Sequence, residues 1–125
     1  MSNKVLLTKE VYFSAAHKLN NYKGKCASLH GHTYKLQITV SGSIKQSGMV
    51  VDFNEIHKII ENTVTCKLDH SYLNDFFKQP TAENMVIWIW NQIANACKGL
   101  EITLEEIKLW ETPTSFASYR GEKYG

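Results

Sequence analysis

Apolar and polar residues alternate along the first third of the chain in the manner of two long β-strands. In residues 5–18 and again in residues 32–43, β-branched and aromatic side chains alternate with polar ones, as in the stretch TYKLQITVSG. A period of two residues places the two sets of side chains on opposite faces of a sheet. The pattern therefore predicts two strands, joined by the loop LNNYKGKCASL of residues 19–29.

After the turn signal KQSGM the apolar spacing changes to that of a helix. Asp52 followed by Glu55 is typical of a capping pair at a helix start, and the helix is expected to end near Thr65. Its predicted buried stripe consists of Phe53, Ile56, Ile60 and Val64.

A second helix is predicted to begin in the stretch PTAEN. Thr81 can cap it, and Glu83 lies in the first turn, where the helix dipole favours an anion. The run MVIWIW alone fits a strand equally well, but the good helix formers in NQIANACK and the stop at Gly99 favour a helix. Six consecutive apolar residues exceed one core stripe, so part of this helix is expected to face another subunit.

Two further strands, LEEIKLWE and SFASYR, are predicted on either side of the turn TPT. The resulting order, ββααββ, predicts an α+β fold in which helices cover one face of an antiparallel sheet. No internal repeat, linker or low-complexity segment interrupts the sequence. We therefore expect a single domain over residues 1–125.

The composition of the chain argues against several classes of protein. The 125 residues carry a net charge of +2 with acidic and basic residues interspersed, which argues against a nucleic-acid partner. No segment approaches the ~20 apolar residues of a membrane span, and the N-terminus lacks a signal-peptide run, so we expect a cytoplasmic protein. The three cysteines suit free thiols, with Cys66 and Cys97 expected to be buried in helices.

The stretch CASLHGH and an upstream histidine suggest a metal site. His30 and His32 lie two residues apart and would point to the same side of a strand, while Gly31 leaves room for close approach. If the first two strands pair, His17 can complete a set of three nitrogen ligands, which is the arrangement of catalytic zinc with an open position. The alternative is that a His-x-His pattern arises by chance on an ordinary strand.

Cys26, four residues before His30, has two possible roles beside such a metal. It could be the fourth ligand of a structural site. It could instead stay unligated, with its thiol pKa lowered by the metal charge so that the thiolate acts as a base or nucleophile. Spacing alone does not choose between them.

Two carboxylates, Asp69 and Glu111, also allow either a functional or an ordinary structural interpretation. Asp69 directly precedes His70, and such a couple can support general acid–base chemistry or can be an ordinary surface loop. Glu111 ends an apolar strand on the same face as Ile107 and Leu109. It is either a satisfied strand-end charge or a carboxylate that faces a cavity and binds paired N–H donors.

Taken together, CASLHGH, His17, GMVVDF, LDHSYLN, PTAEN and WETPTS closely resemble the 6-pyruvoyl-tetrahydropterin synthase family, and within it the branch that forms 6-carboxy-tetrahydropterin. The motifs span almost the whole chain in the family's order and spacing. The resemblance implies the tunnelling fold (T-fold), with a four-stranded antiparallel sheet and two helices on one face. Three such sheets join into a barrel and two rings stack into a homohexamer.

The resemblance also implies the chemistry of the site. Zn²⁺ would be held by His17, His30 and His32. Cys26 matches the proton-abstracting thiol, and Asp69 with His70 matches the couple that relays the proton. Glu111 matches the carboxylate that anchors the pterin, and Thr81 is a further pterin contact. The short gap between the cysteine and His-Gly-His is that of the carboxy-forming branch.

The implied activity is that of a carbon–carbon lyase. It converts 7,8-dihydroneopterin triphosphate to 6-carboxy-5,6,7,8-tetrahydropterin with release of acetaldehyde and triphosphate, on the route to queuosine and related deazapurines. One alternative is an enzyme of the same fold that yields 6-pyruvoyl-tetrahydropterin or cleaves dihydroneopterin to a hydroxymethyl pterin. Another is a non-catalytic zinc-binding module.

Overall fold

The sheet consists of five strands, and its spatial order differs from the order along the chain. The structure is a computed structural model that describes residues 3–20 and 28–121. Within these residues the spatial order is β3-β1-β2-β4-β5. Neighbouring strands are antiparallel except that β3 runs parallel to β1. The strands are β1 (Lys4–His17), β2 (His30–Ser43), β3 (Ser71–Tyr72), β4 (Thr103–Thr112) and β5 (Ser115–Tyr119).

One face of the sheet is covered by helices. The helical elements of the described residues are α1 (Phe53–Ile60), a π-helical turn (Glu61–Thr65), α2 (Cys66–Leu68), α3 (Ala82–Cys97) and two short 3-10 helices (Leu73–Asp75 and Lys98–Leu100). Ile56 and Ile60 of α1 and Ile89 of α3 belong to the same apolar core as Leu36 and Ile38 of β2. The predicted α+β layering is therefore confirmed.

Both helices begin where the capping signals predict. The Asp52 carboxylate accepts a hydrogen bond from the Asn54 N–H at 2.8 Å, and the Thr81 hydroxyl accepts one from the Asn84 N–H at 3.2 Å. Each interaction satisfies one of the backbone donors that a helix start leaves without an intrahelical partner. No helix among the described residues is long and apolar enough to cross a membrane.

Four details of the fold differ from the sequence-based predictions. The sheet has a fifth strand, β3, because two residues after the first helical segment pair with Ala15 and Ala16 at the edge of β1. The first helical segment continues past Thr65 to Leu68 through the π-helical turn. Phe53 is 49% exposed because it lies in the first turn of α1, beyond the core. Cys66 is also exposed and bonds the Asn62 carbonyl, whereas Cys97 is buried as predicted.

Candidate functional site

Three histidines meet at the end of the β1–β2 pair. His17 lies directly opposite His30 in the antiparallel register, and His32 lies opposite Ala15, two residues before His17. Alternation along each strand therefore directs all three imidazoles to one face. One ring nitrogen from each histidine lies within 4.8 Å of the other two. The structure thus brings together the three residues that the sequence analysis proposed as ligands.

Neighbouring oxygen atoms fix the orientation of two of these rings. His30 donates from Nδ1 to the Ser28 carbonyl oxygen at 2.7 Å, since a carbonyl can only accept. The Nε2 atom of His30 therefore carries a lone pair when the ring is neutral. It lies 3.2 Å from Nε2 of His17, whose Nδ1 is 2.9 Å from the Tyr34 hydroxyl. The two Nε2 atoms consequently face one another at the centre of the cluster.

The third ring, His32, presents an unsatisfied nitrogen. Its Nε2 is buried and makes no hydrogen bond, although it lies 3.5 Å from the Glu111 carboxylate. A buried polar atom without a hydrogen-bond partner is unfavourable and calls for an explanation, such as an ion. Glu111 lies near the end of β4, where the pairing with β5 is irregular between Trp110 and Thr112.

Burial lowers the pKa of two of the three histidines, His17 and His32. The pKa of His17 is lowered to about 4, first by desolvation and then by the nearby His32 and His30. The pKa of His32 is also lowered, chiefly by desolvation and further by His30, and Glu111 opposes this shift. Neutral imidazoles are the form that binds transition metals. The lowered pKa values therefore favour the metal-binding form of His17 and His32.

The Asp69–His70 turn lies against the neighbouring edge of β1. The Ser14 N–H donates to the Asp69 carboxylate at 2.9 Å, and the His70 N–H donates to the Ser14 carbonyl at 2.6 Å. His70 has a left-handed backbone with φ of 59°, and its side chain is 84% exposed. Its Nε2 atom lies 3.7 Å from Asp69 Oδ2. The Asp69 carboxylate thus accepts a hydrogen bond from the strand backbone and lies close to the adjacent imidazole.

Two cavities border these groups. One, of about 460 Å³, is lined by His32 and His70 together with residues of the β1–β2 pair. The other, of about 430 Å³, is lined by Glu111, Tyr12 and Trp110 among others. Thr33 lines both of them. The predicted acid–base residue His70 and the predicted pterin anchor Glu111 therefore line separate cavities that have Thr33 in common.

The remaining predicted residues are placed differently. Thr81 lines neither cavity among the described residues, and its hydroxyl caps α3. Cys26 lies outside the described residues. The sequence analysis missed Tyr34 and Ser28, which hold the rings of His17 and His30. Tyr34 follows His30 and His32 at the same two-residue spacing, so the strand pattern itself could have indicated it.

The sequence is similar to that of known proteins over almost its whole length. The profile of the family described as 6-pyruvoyl tetrahydropterin synthase matches residues 6–122. The 6-carboxy-5,6,7,8-tetrahydropterin synthase of Haemophilus influenzae is 34% identical, with 91% of this chain and 97% of that protein covered. The 6-pyruvoyl tetrahydrobiopterin synthase of Dictyostelium discoideum is 35% identical, with 98% and 100% covered.

The fold agrees as well. The structure of the Caenorhabditis elegans 6-pyruvoyl tetrahydropterin synthase superposes with a TM-score of 0.85 and 26% sequence identity, covering 97% of this chain and 98% of that one. The predicted T-fold is thereby confirmed, with β3 as an addition to the expected four strands. The chain belongs to the 6-pyruvoyl tetrahydropterin synthase family.

Proposed function

We propose that the protein converts 7,8-dihydroneopterin triphosphate to 6-carboxy-5,6,7,8-tetrahydropterin, with Zn²⁺ bound by His17, His30 and His32. The observation that carries this proposal is the buried Nε2 of His32, which lacks a hydrogen bond beside two other imidazoles. A cation at that point would give all three nitrogens a partner at once.

The spacing of the nitrogens fits zinc. Zn–N bonds of ~2.0–2.1 Å in a tetrahedral site put neighbouring ligand nitrogens ~3.3–3.4 Å apart. The Nε2 atoms of His17 and His30 lie 3.2 Å apart. Three histidines leave a fourth position for substrate, which supports a catalytic rather than a structural site. When bound, zinc supplies a Lewis acid that polarises substrate oxygen atoms.

The overall reaction is balanced without an external oxidant or reductant. The side-chain carbon next to the ring carries one hydroxyl in the substrate and becomes a carboxyl group, so one water molecule is consumed. The other two side-chain carbons leave as acetaldehyde when the bond to the triphosphate and one carbon–carbon bond break. The ring gains two hydrogens and the departing two-carbon fragment is reduced to acetaldehyde, and together these changes balance the oxidation of that carbon. The protein's task is therefore to move protons between the side chain and the ring.

Proton transfer is assigned to two groups. We assign Cys26 as the thiolate base and the His70 imidazole as the second proton carrier. Support for His70 comes from its position, since the exposed imidazole lines the same cavity as His32. Asp69 can stabilise the protonated imidazole from 3.7 Å.

Glu111 is assigned to pterin recognition, with Thr81 as a further contact. A pterin presents an amino group and a ring N–H side by side, and one carboxylate can accept both hydrogen bonds. Glu111 lines the cavity of about 430 Å³ and lies 3.5 Å from His32. An anchored pterin would therefore extend its side chain toward the histidines.

We further propose the homohexamer that the family resemblance implies. Within residues 3–20 and 28–121, the edge strands of the sheet are β5 and the very short β3. Unpaired strand edges favour pairing with another chain. Ile87 in the apolar run of α3 is 44% exposed, which supports a contact between subunits there.

Product analysis tests the activity directly. Purified protein with Zn²⁺ and dihydroneopterin triphosphate should release 6-carboxy-tetrahydropterin and acetaldehyde in equal amounts, measured by liquid chromatography with mass spectrometry. A 6-pyruvoyl product without acetaldehyde would assign the second activity, which is a real competitor because relatives of both names share 34–35% identity with this chain.

A cysteine variant distinguishes the enzyme from a structural zinc module. Cys26→Ala should retain zinc and lose most turnover, since a general base contributes ~10²–10⁴-fold in rate. Cys66→Ala is the matched control, because that exposed thiol donates to the Asn62 carbonyl within its own helical segment, and the substitution is expected to leave both quantities unchanged. Loss of zinc from Cys26→Ala would favour the structural module.

A further inference from the structure

Tyr34 contacts the histidine cluster from inside the core. Its side chain is fully buried, and its ring stacks on Phe13 with centroids 5.0 Å apart and an interplanar angle of 11°. The hydroxyl lies 2.9 Å from Nδ1 of His17. The packing of the ring therefore holds the hydroxyl in a fixed position relative to the His17 imidazole.

The hydrogen bonds of the cluster determine which atom of His17 carries the proton. His30 donates from Nδ1 to Ser28, so its Nε2 is an acceptor when the ring is neutral. The 3.2 Å contact between the two Nε2 atoms then requires His17 to donate from Nε2. In that tautomer His17 Nδ1 is an acceptor, and the Tyr34 hydroxyl donates to it.

A metal at the cluster reverses this arrangement. If His17 binds a cation through Nε2, its proton must lie on Nδ1, which then donates to the Tyr34 oxygen. A tyrosine hydroxyl can both donate and accept, so it satisfies Nδ1 in either state. The Ser28 carbonyl can only accept, so it holds His30 in the metal-binding tautomer at all times.

We infer that Tyr34 is a positioning residue for the metal: the hydroxyl that donates to His17 Nδ1 in the metal-free cluster can turn to accept from the Nδ1 N–H once Nε2 binds zinc. The inference rests on the proposed zinc site. Hydrogen-bond partners of metal-binding histidines typically contribute 10–100-fold to metal affinity. Tyr34 can therefore donate to His17 or accept from it, whereas the Ser28 carbonyl can only accept from His30.

Zinc affinity tests this role separately from activity. Tyr34→Phe removes one oxygen and keeps the ring that stacks on Phe13. Competition with a chromogenic chelator should show zinc affinity lowered ~10–100-fold in this variant. Tyr119→Phe is the matched control, since that ring packs on Trp90, away from the histidines, and its loss of a hydroxyl should leave the affinity unchanged.

Nitrogen-15 NMR of the histidine side chains gives a second readout, which compares the parent protein with Tyr34→Phe. Zinc-loaded protein should show His17 protonated at Nδ1, with this proton exchanging faster with solvent in Tyr34→Phe. Equal zinc affinity in the Phe variant and the parent, or a His17 protonated at Nε2 with zinc bound, would overturn the inference. A parent protein that binds no zinc would instead overturn the proposed function on which the inference rests.

Discussion

The histidine cluster is positioned by a long strand pairing, whereas the Asp69–His70 turn is attached to the sheet edge by two hydrogen bonds to Ser14 and by the two-residue strand β3 that follows it. Fourteen paired positions fix β1 against β2, ending with His17 opposite His30. The turn is tied to Ser14 through its backbone and through the Asp69 carboxylate. His17 is completely buried, while the His70 side chain is 84% exposed.

The difference separates the proposed metal binding from the proposed proton transfer. The strand register already brings the three histidine nitrogens together, so the proposed metal site does not depend on the turn. The turn holds a non-glycine residue in a left-handed conformation, which is unfavourable by ~1–3 kcal/mol and is maintained only by surrounding contacts. Changes in the cluster should therefore affect zinc and activity, and changes in the turn should affect activity alone.

The largest effect is expected from the ligands. The double substitution His30→Ala, His32→Ala leaves one imidazole, so zinc content should fall from about one ion per chain to near zero. Turnover should be lost with it. Elemental analysis of the purified protein and the product assay measure the two quantities. Full zinc content in the double variant would refute the ligand assignment.

His57→Ala serves as the control for this experiment. His57 lies in α1 and faces Glu61 at 3.8 Å, with its side chain 46% exposed. The same chemical change there should leave zinc content and turnover unchanged. A fall in zinc for both variants would indicate that histidine removal acts through the fold rather than through ligation.

A smaller effect is expected from the turn. His70→Ala should lower turnover by ~10²–10⁴-fold, the usual contribution of a general acid or base. Zinc content should not change, because the imidazole is exposed and the Asp69 carboxylate still accepts from Ser14. Turnover and zinc content are measured on the same samples. Loss of zinc from this variant would contradict the separation between the cluster and the turn.

Glu111 lies on β4, on the other side of the histidine cluster from the turn, and its substitution should weaken pterin binding by a smaller factor. Gln keeps the volume but offers one acceptor and one donor. One of the two pterin N–H groups would therefore face an amide N–H instead of an acceptor oxygen. An unsatisfied buried donor is unfavourable by ~1–3 kcal/mol, which predicts ~10–100-fold weaker binding by calorimetry. Zinc content should equal that of the parent.

Glu106→Gln is the matched control on the same strand. Glu106 pairs with Arg120 at 3.4 Å and lines a different cavity from Glu111. Its substitution should not change pterin affinity. If Glu111→Gln binds a pterin as tightly as the parent and the control, Glu111 is only a charge at the strand end.

Local sequence patterns predicted the parts of the fold that depend on local interactions. The alternation in β1 and β2 and the caps Asp52 and Thr81 act within a few residues, and the structure contains these elements at nearly the predicted positions. The histidine cluster was predictable for the same reason. It needs only a period of two and one antiparallel pairing.

Features that depend on contacts distant in sequence were not predictable. Strand β3 is two residues long, and only its position beside Ala15 and Ala16 makes it a strand. Phe53 fits the apolar spacing of α1, but the core ends before the first turn of that helix, so the side chain stays exposed. The link between Asp69 and Ser14 spans 55 residues and leaves no local signal.

The smallest expected effect concerns the strain at His70. Glycine removes the steric penalty of a left-handed backbone, ~1–2 kcal/mol, but loses ~0.5–1 kcal/mol through the greater entropy of the unfolded chain. His70→Gly should therefore be more stable than His70→Ala by about 1 kcal/mol. Urea unfolding of the two zinc-saturated variants measures this difference through their midpoints.

The same pair of substitutions at His57 should give the opposite sign. His57 lies inside α1, where glycine is less favourable than alanine by ~1 kcal/mol. His57→Gly should therefore unfold at a lower urea concentration than His57→Ala, whereas His70→Gly should unfold at a higher one than His70→Ala. A lower midpoint for glycine at both positions would mean that the Asp69–His70 turn stores no strain. The two regions would then differ in how deeply their histidine side chains are buried and not in backbone strain.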